Sequence, residues 1–135
     1  MPKLPRWLVA FGPALAYMSL IFVLSSFPIQ LDLERVPFRD KGVHFVEYGT
    51  LGALLAHALR ATYPRAHSLW IWILATIATV LWGALDEIHQ AFVPGRNSDV
   101  VDLMADAVGA VVGAAVYLVV HKRRIGRSVI GQKTA

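Results

Sequence analysis

Ionisable side chains interrupt otherwise apolar segments of this chain at helical spacing. In the first such pattern, Asp40, His44 and Tyr48 are four residues apart, and Glu47 lies three residues after His44. Residues three or four positions apart share one face of an α-helix. Because histidine titrates nearest neutrality, His44 is a candidate general base or acid, with Glu47 or Asp40 as the carboxylate that orients it.

Two further polar stripes lie in the second half of the chain. One consists of Trp82, Asp86 and Gln90, with Glu87 and His89 beside them. The other consists of Asp99, Asp102, Asp106, Gly109 and Gly113. Asp86 and Glu87 are an adjacent carboxylate pair of the kind that serves in acid–base catalysis. Gly109 and Gly113 fit a face on which two helices pack closely.

The composition predicts that these stripes belong to a membrane protein. Of the 135 residues, 56% are hydrophobic and 16% are charged, whereas soluble domains carry charge at about a quarter of positions. The mean hydropathy is +0.54. The chain has no cysteine, which excludes disulfides, thiolate nucleophiles and zinc sites built on cysteine.

Four apolar segments are long enough to cross a bilayer, which takes about 20 helical residues. We predict one all-α domain over residues 1–135, an antiparallel bundle of four transmembrane helices. The predicted helices span about 7–27, 41–60, 68–91 and 99–120, and a basic cytoplasmic tail follows at 121–135.

The basic residues predict the orientation of this bundle. An even number of helices places both termini on one side, together with the loop between the second and third helices. Nine of the thirteen Lys and Arg residues fall on that side: Lys3, Arg6, Arg60, Arg65, Lys122, Arg123, Arg124, Arg127 and Lys133. Both termini should therefore be cytoplasmic. This asymmetry explains the net charge of +4 without nucleic acid, which we do not expect as a partner.

All the polar stripes should then lie in the outer half of the bilayer, where a charge usually faces the bundle interior or a wet cavity. The loop before the fourth helix contains the turn signal Pro94-Gly95, followed by Arg96, and either Asn97 or Ser98 could cap that helix. Arg96 could pair with a carboxylate of the cluster, or it could bind a phosphate or carboxylate on a ligand. The candidate ligand-binding residues are Asp40, Lys41, Tyr48, Gln90, Arg96, Asp102 and Asp106.

At these residues the chain resembles the VanZ-like family of bacterial membrane proteins. The resemblance extends from about Ser19 to Leu118 and depends on a compound pattern that spans several helices. Its pieces are Ser25-Ser26 with Pro28, Asp40-Lys41-x-x-His44-Phe45-x-x-Tyr48, Asp86-Glu87-x-x-Gln90-x-Phe92-Val93-Pro94-Gly95-Arg96, Asp102, and the small residues around Gly109 and Gly113. Asp106 departs from the pattern, which usually has Asn there. An extra carboxylate at this position could raise the pKa of a neighbouring group or demand another cation.

The resemblance implies a four-helix protein of the bacterial cytoplasmic membrane. The named member of the family is linked to resistance to the glycopeptide antibiotic teicoplanin, so an effect on envelope lipid chemistry is one expectation. Membrane lipids, a lipid-linked envelope precursor and a glycopeptide are the candidate partners.

Two functional hypotheses for the polar cluster stay open, beside a plainer one in which the protein is a small structural subunit that packs against other membrane proteins. In the first, the cluster binds an anionic amphipathic envelope lipid or a lipid-linked cell-wall precursor. Arg96 and Lys41 would neutralise its phosphate, and Trp82 and Phe92 would contact its apolar part. In the second, the protein is an intramembrane hydrolase or transferase, with His44, Glu47, Asp86 and Glu87 as catalytic groups and Arg96 stabilising an oxyanion.

Metal binding is a variant of the second hypothesis. Enough oxygen and nitrogen donors are available, namely His44, Glu47, Asp86, Glu87, His89, Asp102 and Asp106. No compact motif such as His-Glu-x-x-His occurs, however, so the sequence alone assigns no metal ligand and identifies no cofactor.

Overall fold

The computed structural model of the chain describes residues 4–27, 39–96 and 98–133, with side chains described at all of these except 39, 40 and 128–133. Four α-helices follow one another in these residues: α1 Arg6–Ser25, α2 Arg39–Thr62, α3 Ser68–Gln90 and α4 Val100–Lys133. The described ranges contain no β-strand. The prediction of an all-α fold with four helices is confirmed.

Local sequence explains where the helices begin and end. Pro5 is extended and directly precedes α1, whereas Pro13 lies inside α1 without ending it, as membrane helices tolerate. α3 begins after His67, whose Nδ1 accepts a hydrogen bond from the Leu69 N–H at 3.2 Å. Beyond α3 the chain turns at Gly95, whose φ of 83° suits glycine because that residue has no Cβ to clash.

The first three helices have bounds within two residues of the predicted ones, but α4 is longer. It continues without interruption to Lys133, through most of the segment expected to form a basic tail. The apolar pattern ends near residue 120, yet the next residues include good helix formers and no proline before the helix ends. The loss of hydrophobicity therefore marks the end of the apolar segment and not the end of the helix.

Three of the helices, α1, α3 and the part of α4 up to Arg127, are long and apolar enough to cross a membrane. α2 is not among these three, although its 24 residues would span about 36 Å at a rise of about 1.5 Å per residue. Its lower hydropathy follows from Lys41, His44 and Glu47 in its first turns. α2 contacts each of the other three helices, so these polar groups can face protein rather than lipid.

The closest helix–helix approach joins α2 to α4, the pair with the most extensive contact. A Cβ added at Gly113 would lie 2.6 Å from the carbonyl carbon of Gly49, and one at Gly52 would lie 2.7 Å from the Ala110 carbonyl oxygen. A Cβ at Gly109 would lie 3.0 Å from the Gly49 nitrogen. The close-packing face predicted at Gly109 and Gly113 is present, and on α2 it meets Gly49 and the backbone carbonyl group of Phe45.

Burial in this bundle differs from that in a soluble protein, although apolar residues such as Ile21, Leu51 and Ile71 form a buried core here too. Many large apolar side chains are exposed, among them Leu15, Leu74, Leu81, Val108 and Val116. The buried polar residues are Ser25, His44, Thr79, Asp86, Glu87, Gln90, Asp102 and Asp106. Apolar side chains on the outside and ionisable groups on the inside are expected when the solvent is lipid.

Candidate functional site

Four helix ends bring the predicted polar residues together in one region, which we call the polar cluster. The end of α1, the start of α2, the end of α3 and the start of α4 contribute to it. Its members with described side chains are Ser25, Ser26, Lys41, His44, Glu47, Tyr48, Asp86, Glu87, His89, Gln90, Arg96, Asp99, Asp102 and Asp106. The predicted site residue Asp40 lies in α2, but its side chain is outside the described set.

Asp86 is the buried acid with the most complete hydrogen bonding. Its Oδ1 accepts from the Ser25 hydroxyl at 2.6 Å. Its Oδ2 accepts from the Tyr48 hydroxyl at 3.2 Å and from the Gln90 amide at 2.8 Å. Three uncharged donors from three helices thus compensate the burial of this carboxylate, and Asp86 ties α1, α2 and α3 together.

His44 pairs with a carboxylate on another helix. Its Nδ1 lies 2.9 Å from Asp106 Oδ1 on α4, and both residues are buried. Its ring is parallel to that of Tyr48, with 6.2 Å between ring centroids. The sequence predicted Glu47 or Asp40 as the orienting carboxylate, and the structure places Asp106 in that position. The reason is that α2 and α4 pack closely enough for a cross-helix contact at this level.

Lys41 forms ion pairs with both acids at the start of α4. Its Nζ lies 2.6 Å from Asp102 Oδ1 and 3.0 Å from Asp99 Oδ2. Asp102 is buried, so this contact provides the opposite charge that its burial demands. Lys41 was predicted to neutralise a ligand phosphate, but here two carboxylates already neutralise it.

Asp99 itself caps α4, instead of the predicted Asn97 or Ser98. Its Oδ1 accepts from the Val101 N–H at 2.8 Å, which satisfies one free donor of the first turn. This hydrogen bond and the neighbouring Lys41 ammonium hold the pKa of Asp99 below its usual value. Asn97 lies outside the described residues, and Ser98 is exposed beside the cap.

Glu87 faces away from its neighbour Asp86, so the two do not form the carboxylate pair suggested by their adjacency. Its Oε2 accepts from the Asp99 N–H at 3.0 Å, and the Ser98 hydroxyl lies beside the same carboxylate. Its Oε1 is buried and has no hydrogen-bond partner among the described residues. Adjacent helical residues point about 100° apart, which explains the separation from Asp86.

Glu47 and Arg96 complete the polar cluster. Both are half-buried, and Glu47 lies near enough to Arg96, His44 and Asp86 to interact with their charges. Arg96 forms no ion pair with a described carboxylate, and its buried Nε has no hydrogen-bond partner in that set. Of the two possibilities predicted for Arg96, pairing with a carboxylate of the cluster is not observed there.

α1 contributes more to the cluster than its apolar sequence suggested. Besides the contact of Ser25 with Asp86, the Ser26 hydroxyl lies 3.0 Å from His89 Nε2 on α3. The Phe22 ring packs on the same imidazole, with 4.5 Å between ring centroids. The sequence signal was the pair of serines in the last turn of an apolar helix, where one hydroxyl can turn inward to a buried acid.

Three members of the cluster lie close enough to share a cation. His44, Glu87 and Asp106 each offer one nitrogen or oxygen atom, and these atoms lie within 4.8 Å of one another. All three residues are buried. They come from α2, α3 and α4, so no spacing in the sequence could have identified them as a set.

An apolar groove between α1 and α2 lies beside the cluster. Its volume is about 600 Å³, and its lining residues are Tyr17, Gly42, Val43, Val46 and Glu47. Glu47 belongs to both the groove and the cluster. Trp82 is half-buried, and Phe92, the other aromatic residue expected to contact a ligand, is 81% exposed.

Comparison with protein families supports the resemblance seen in the sequence. The family model described as VanZ/LLP1 matches residues 9–121, which include all four helix segments that build the cluster. Searches of curated proteins and of solved structures returned no match. The matched range covers most of the chain and contains the residues that the structure brings together in the polar cluster. The chain therefore belongs to the VanZ/LLP1 family and is a membrane protein.

Proposed function

We propose that this protein binds an anionic amphipathic lipid of the bacterial envelope, or a lipid-linked cell-wall precursor, at the polar cluster. The anionic headgroup would lie at Arg96, and an acyl or prenyl chain would lie along the groove between α1 and α2. The site would open toward the outer face of the cytoplasmic membrane.

Arg96 is the observation that carries this proposal. Among the described residues of the cluster, Lys41 is neutralised by two acids, whereas Arg96 forms no ion pair. A half-buried guanidinium with an unpartnered Nε is costly to keep, unless a ligand supplies the opposite charge. Phosphate matches the planar donor geometry of arginine through two parallel hydrogen bonds.

The groove supports the amphipathic part of the proposal. Val43 and Val46 give it an apolar wall, and both are exposed on the outside of the bundle. Because the groove opens at the bundle surface, a lipid could enter from the bilayer without crossing water. Glu47 lines the groove and also interacts electrostatically with Arg96, so the apolar groove adjoins the charged part of the polar cluster.

The orientation is part of the proposal. The excess of Lys and Arg at both chain ends and near residues 60–65 favours cytoplasmic termini, so the polar cluster would face outward. A protein that holds envelope lipids on that side could alter the access of a glycopeptide such as teicoplanin to its lipid-linked target. Such an effect would be a consequence of lipid binding.

The test uses purified full-length protein in dodecyl maltoside micelles, with undecaprenyl phosphate and phosphatidylglycerol as probes. Arg96→Gln should weaken binding of both by roughly 10- to 100-fold, because a hydrogen bond to a charged group contributes about 1.5–3 kcal/mol. The matched control is Arg65→Gln, which removes an exposed arginine at the opposite end of the bundle. Zwitterionic phosphatidylcholine should bind weakly to all three proteins.

Equal affinity of wild type and Arg96→Gln for both anionic probes would contradict the proposal. In bacterial cells that lack a VanZ/LLP1 protein of their own, expression of wild type should raise the tolerated teicoplanin concentration, and expression of Arg96→Gln should not. The cellular result has meaning only when membrane levels of the two proteins match.

An acid–base hydrolase or transferase acting on the same lipid is the second candidate. The His44–Asp106 contact favours it, because a carboxylate that holds one imidazole nitrogen orients the ring for proton transfer. Wild type would then release inorganic phosphate from undecaprenyl pyrophosphate or glycerol from phosphatidylglycerol. Loss of this activity in His44→Gln would favour the hydrolase or transferase. Binding without turnover would favour the first.

A further inference from the structure

We propose that His44, Glu87 and Asp106 bind one divalent transition-metal ion, of the class of Zn²⁺ or Mn²⁺. The site goes beyond the proposed lipid binding and does not depend on it. Its three ligands come from α2, α3 and α4, and one donor atom from each lies within 4.8 Å of the others.

Burial is the first argument for a cation at this position. His44, Glu87 and Asp106 are 8%, 6% and 0% exposed, respectively. Two carboxylates removed from solvent need opposite charge or several hydrogen-bond donors. Lys41 does not serve them, since its ion pairs are with Asp99 and Asp102.

Unpartnered oxygen atoms are the second and independent argument. Glu87 Oε1 and Asp106 Oδ2 are both buried, and neither has a hydrogen-bond partner among the described residues. Asp86, buried at the same level, shows the contrast, because three donors satisfy its two oxygens. Among the described residues of the cluster, the fully buried acceptors without a hydrogen-bond partner thus belong to two members of the proposed ligand set.

The remaining oxygen of each carboxylate is fixed by protein. Glu87 Oε2 accepts from the Asp99 N–H, and Asp106 Oδ1 lies 2.9 Å from His44 Nδ1. Such contacts orient ligands before a metal binds. Gly83 also leaves room at Asp106, because a Cβ there would lie 3.0 Å from Oδ2.

The ligand set selects the class of ion. One imidazole with two carboxylates suits Zn²⁺ or Mn²⁺ better than Mg²⁺ or Ca²⁺, which prefer oxygen ligands alone. Metal–ligand bonds of about 2.0–2.2 Å in a tetrahedral Zn²⁺ site place ligand atoms about 3.4 Å apart. The three donor atoms lie within 4.8 Å of one another, so small movements of their side chains would complete the site. Three protein ligands leave a coordination position open for water or for a ligand oxygen.

The test measures metal binding directly, without lipid. Tag-free wild-type protein in dodecyl maltoside is stripped with a chelator and then titrated calorimetrically with Zn²⁺, Mn²⁺ and Mg²⁺, and bound metal is counted by mass spectrometry. Wild type should bind one Zn²⁺ or Mn²⁺ per chain and should bind Mg²⁺ much more weakly.

Conservative variants locate the site. His44→Gln, Glu87→Gln and Asp106→Asn should each weaken binding by at least tenfold, since even changes around metal ligands cost roughly 10- to 100-fold. His57→Gln is the control, because it removes an exposed histidine that lies outside the ligand set, with its Nδ1 3.1 Å from the Tyr117 hydroxyl. This control should bind like wild type.

Absence of Zn²⁺ and Mn²⁺ binding by folded wild type overturns the proposal, whatever the variants do. Loss of binding in His57→Gln, with binding retained in His44→Gln, overturns it as well, because the metal then lies elsewhere. Since no lipid is present, failure here leaves the Arg96 experiment intact, and failure of that experiment leaves this one intact.

Discussion

Substitution Gly113→Ala should separate α2 from α4 and weaken the polar cluster from a distance. The new Cβ would overlap the carbonyl oxygen of Gly49 and lie 2.6 Å from its carbonyl carbon, whereas ordinary contacts begin at 3.4 Å, so the backbones must move apart by at least about 0.8 Å. A backbone cannot rotate away as a flexible side chain can. Overpacking of this kind costs about 1–3 kcal/mol, more than the roughly 1 kcal/mol of helix propensity that alanine adds.

The same displacement should reach His44 and Asp106, since α2 and α4 carry one each. Their contact is 2.9 Å, so an added separation of this size would exceed hydrogen-bonding distance. Gly113→Ala should therefore lower both the free energy of unfolding and the affinity of the proposed metal site, although Gly113 is not a ligand.

The assay is unfolding in mixed micelles of dodecyl maltoside and SDS, followed by circular dichroism. Gly126→Ala is the control: it lies on the same helix, and a Cβ there meets no atom within 4 Å. That variant should be as stable as wild type or slightly more stable. If Gly113→Ala proves as stable as Gly126→Ala, the close approach of α2 and α4 is wrong.

Two further predictions concern the ion pairs at the start of α4. Lys41→Met should destabilise the fold by about 1–3 kcal/mol, because buried Asp102 loses its cation. The double variant Lys41→Met/Asp102→Leu should recover part of that loss in the same unfolding assay. A double variant less stable than Lys41→Met would contradict this prediction. Because the pKa of Asp99 is lowered in the folded state, its ionised form stabilises the fold above the usual aspartate pKa of about 3.9, and this stabilisation is lost as pH falls through the lowered value. The stability difference between wild type and Asp99→Asn should therefore shrink on acidification, and a difference that grows would refute the assignment.

The helices and the membrane class could be predicted because apolar length and helical spacing are local properties. The spacing of Asp40, His44 and Tyr48 correctly indicated one face of a helix, and Gly109 and Gly113 correctly indicated close packing. The family pattern likewise pointed to the residues that the structure gathers. Each of these signals depends on one segment at a time.

The pairings across helices could not be predicted, since they depend on how each helix is rotated about its axis. His44 lies three residues from Glu47 in the sequence, but the α2–α4 glycine contact turns it toward Asp106. In the same way, Glu87 follows Asp86 directly but reaches the backbone of Asp99 instead. The rotation of each helix about its axis and the distance between helices depend on packing among several helices. The spacing of residues within one helix does not contain that information.

The unbroken length of α4 has a mechanical consequence. Its 34 residues extend about 51 Å, whereas the hydrocarbon core of a bilayer is about 30 Å thick. One stiff rod thus carries Asp102 and Asp106 near one end, and the basic residues Lys122 and Arg123 lie about 30 Å from Asp102 along the same helix, close to the thickness of that core. Any tilt or twist that a bound molecule imposes on the acidic end must move the basic end too. Events on one side of the membrane could thereby be sensed on the other without a second protein.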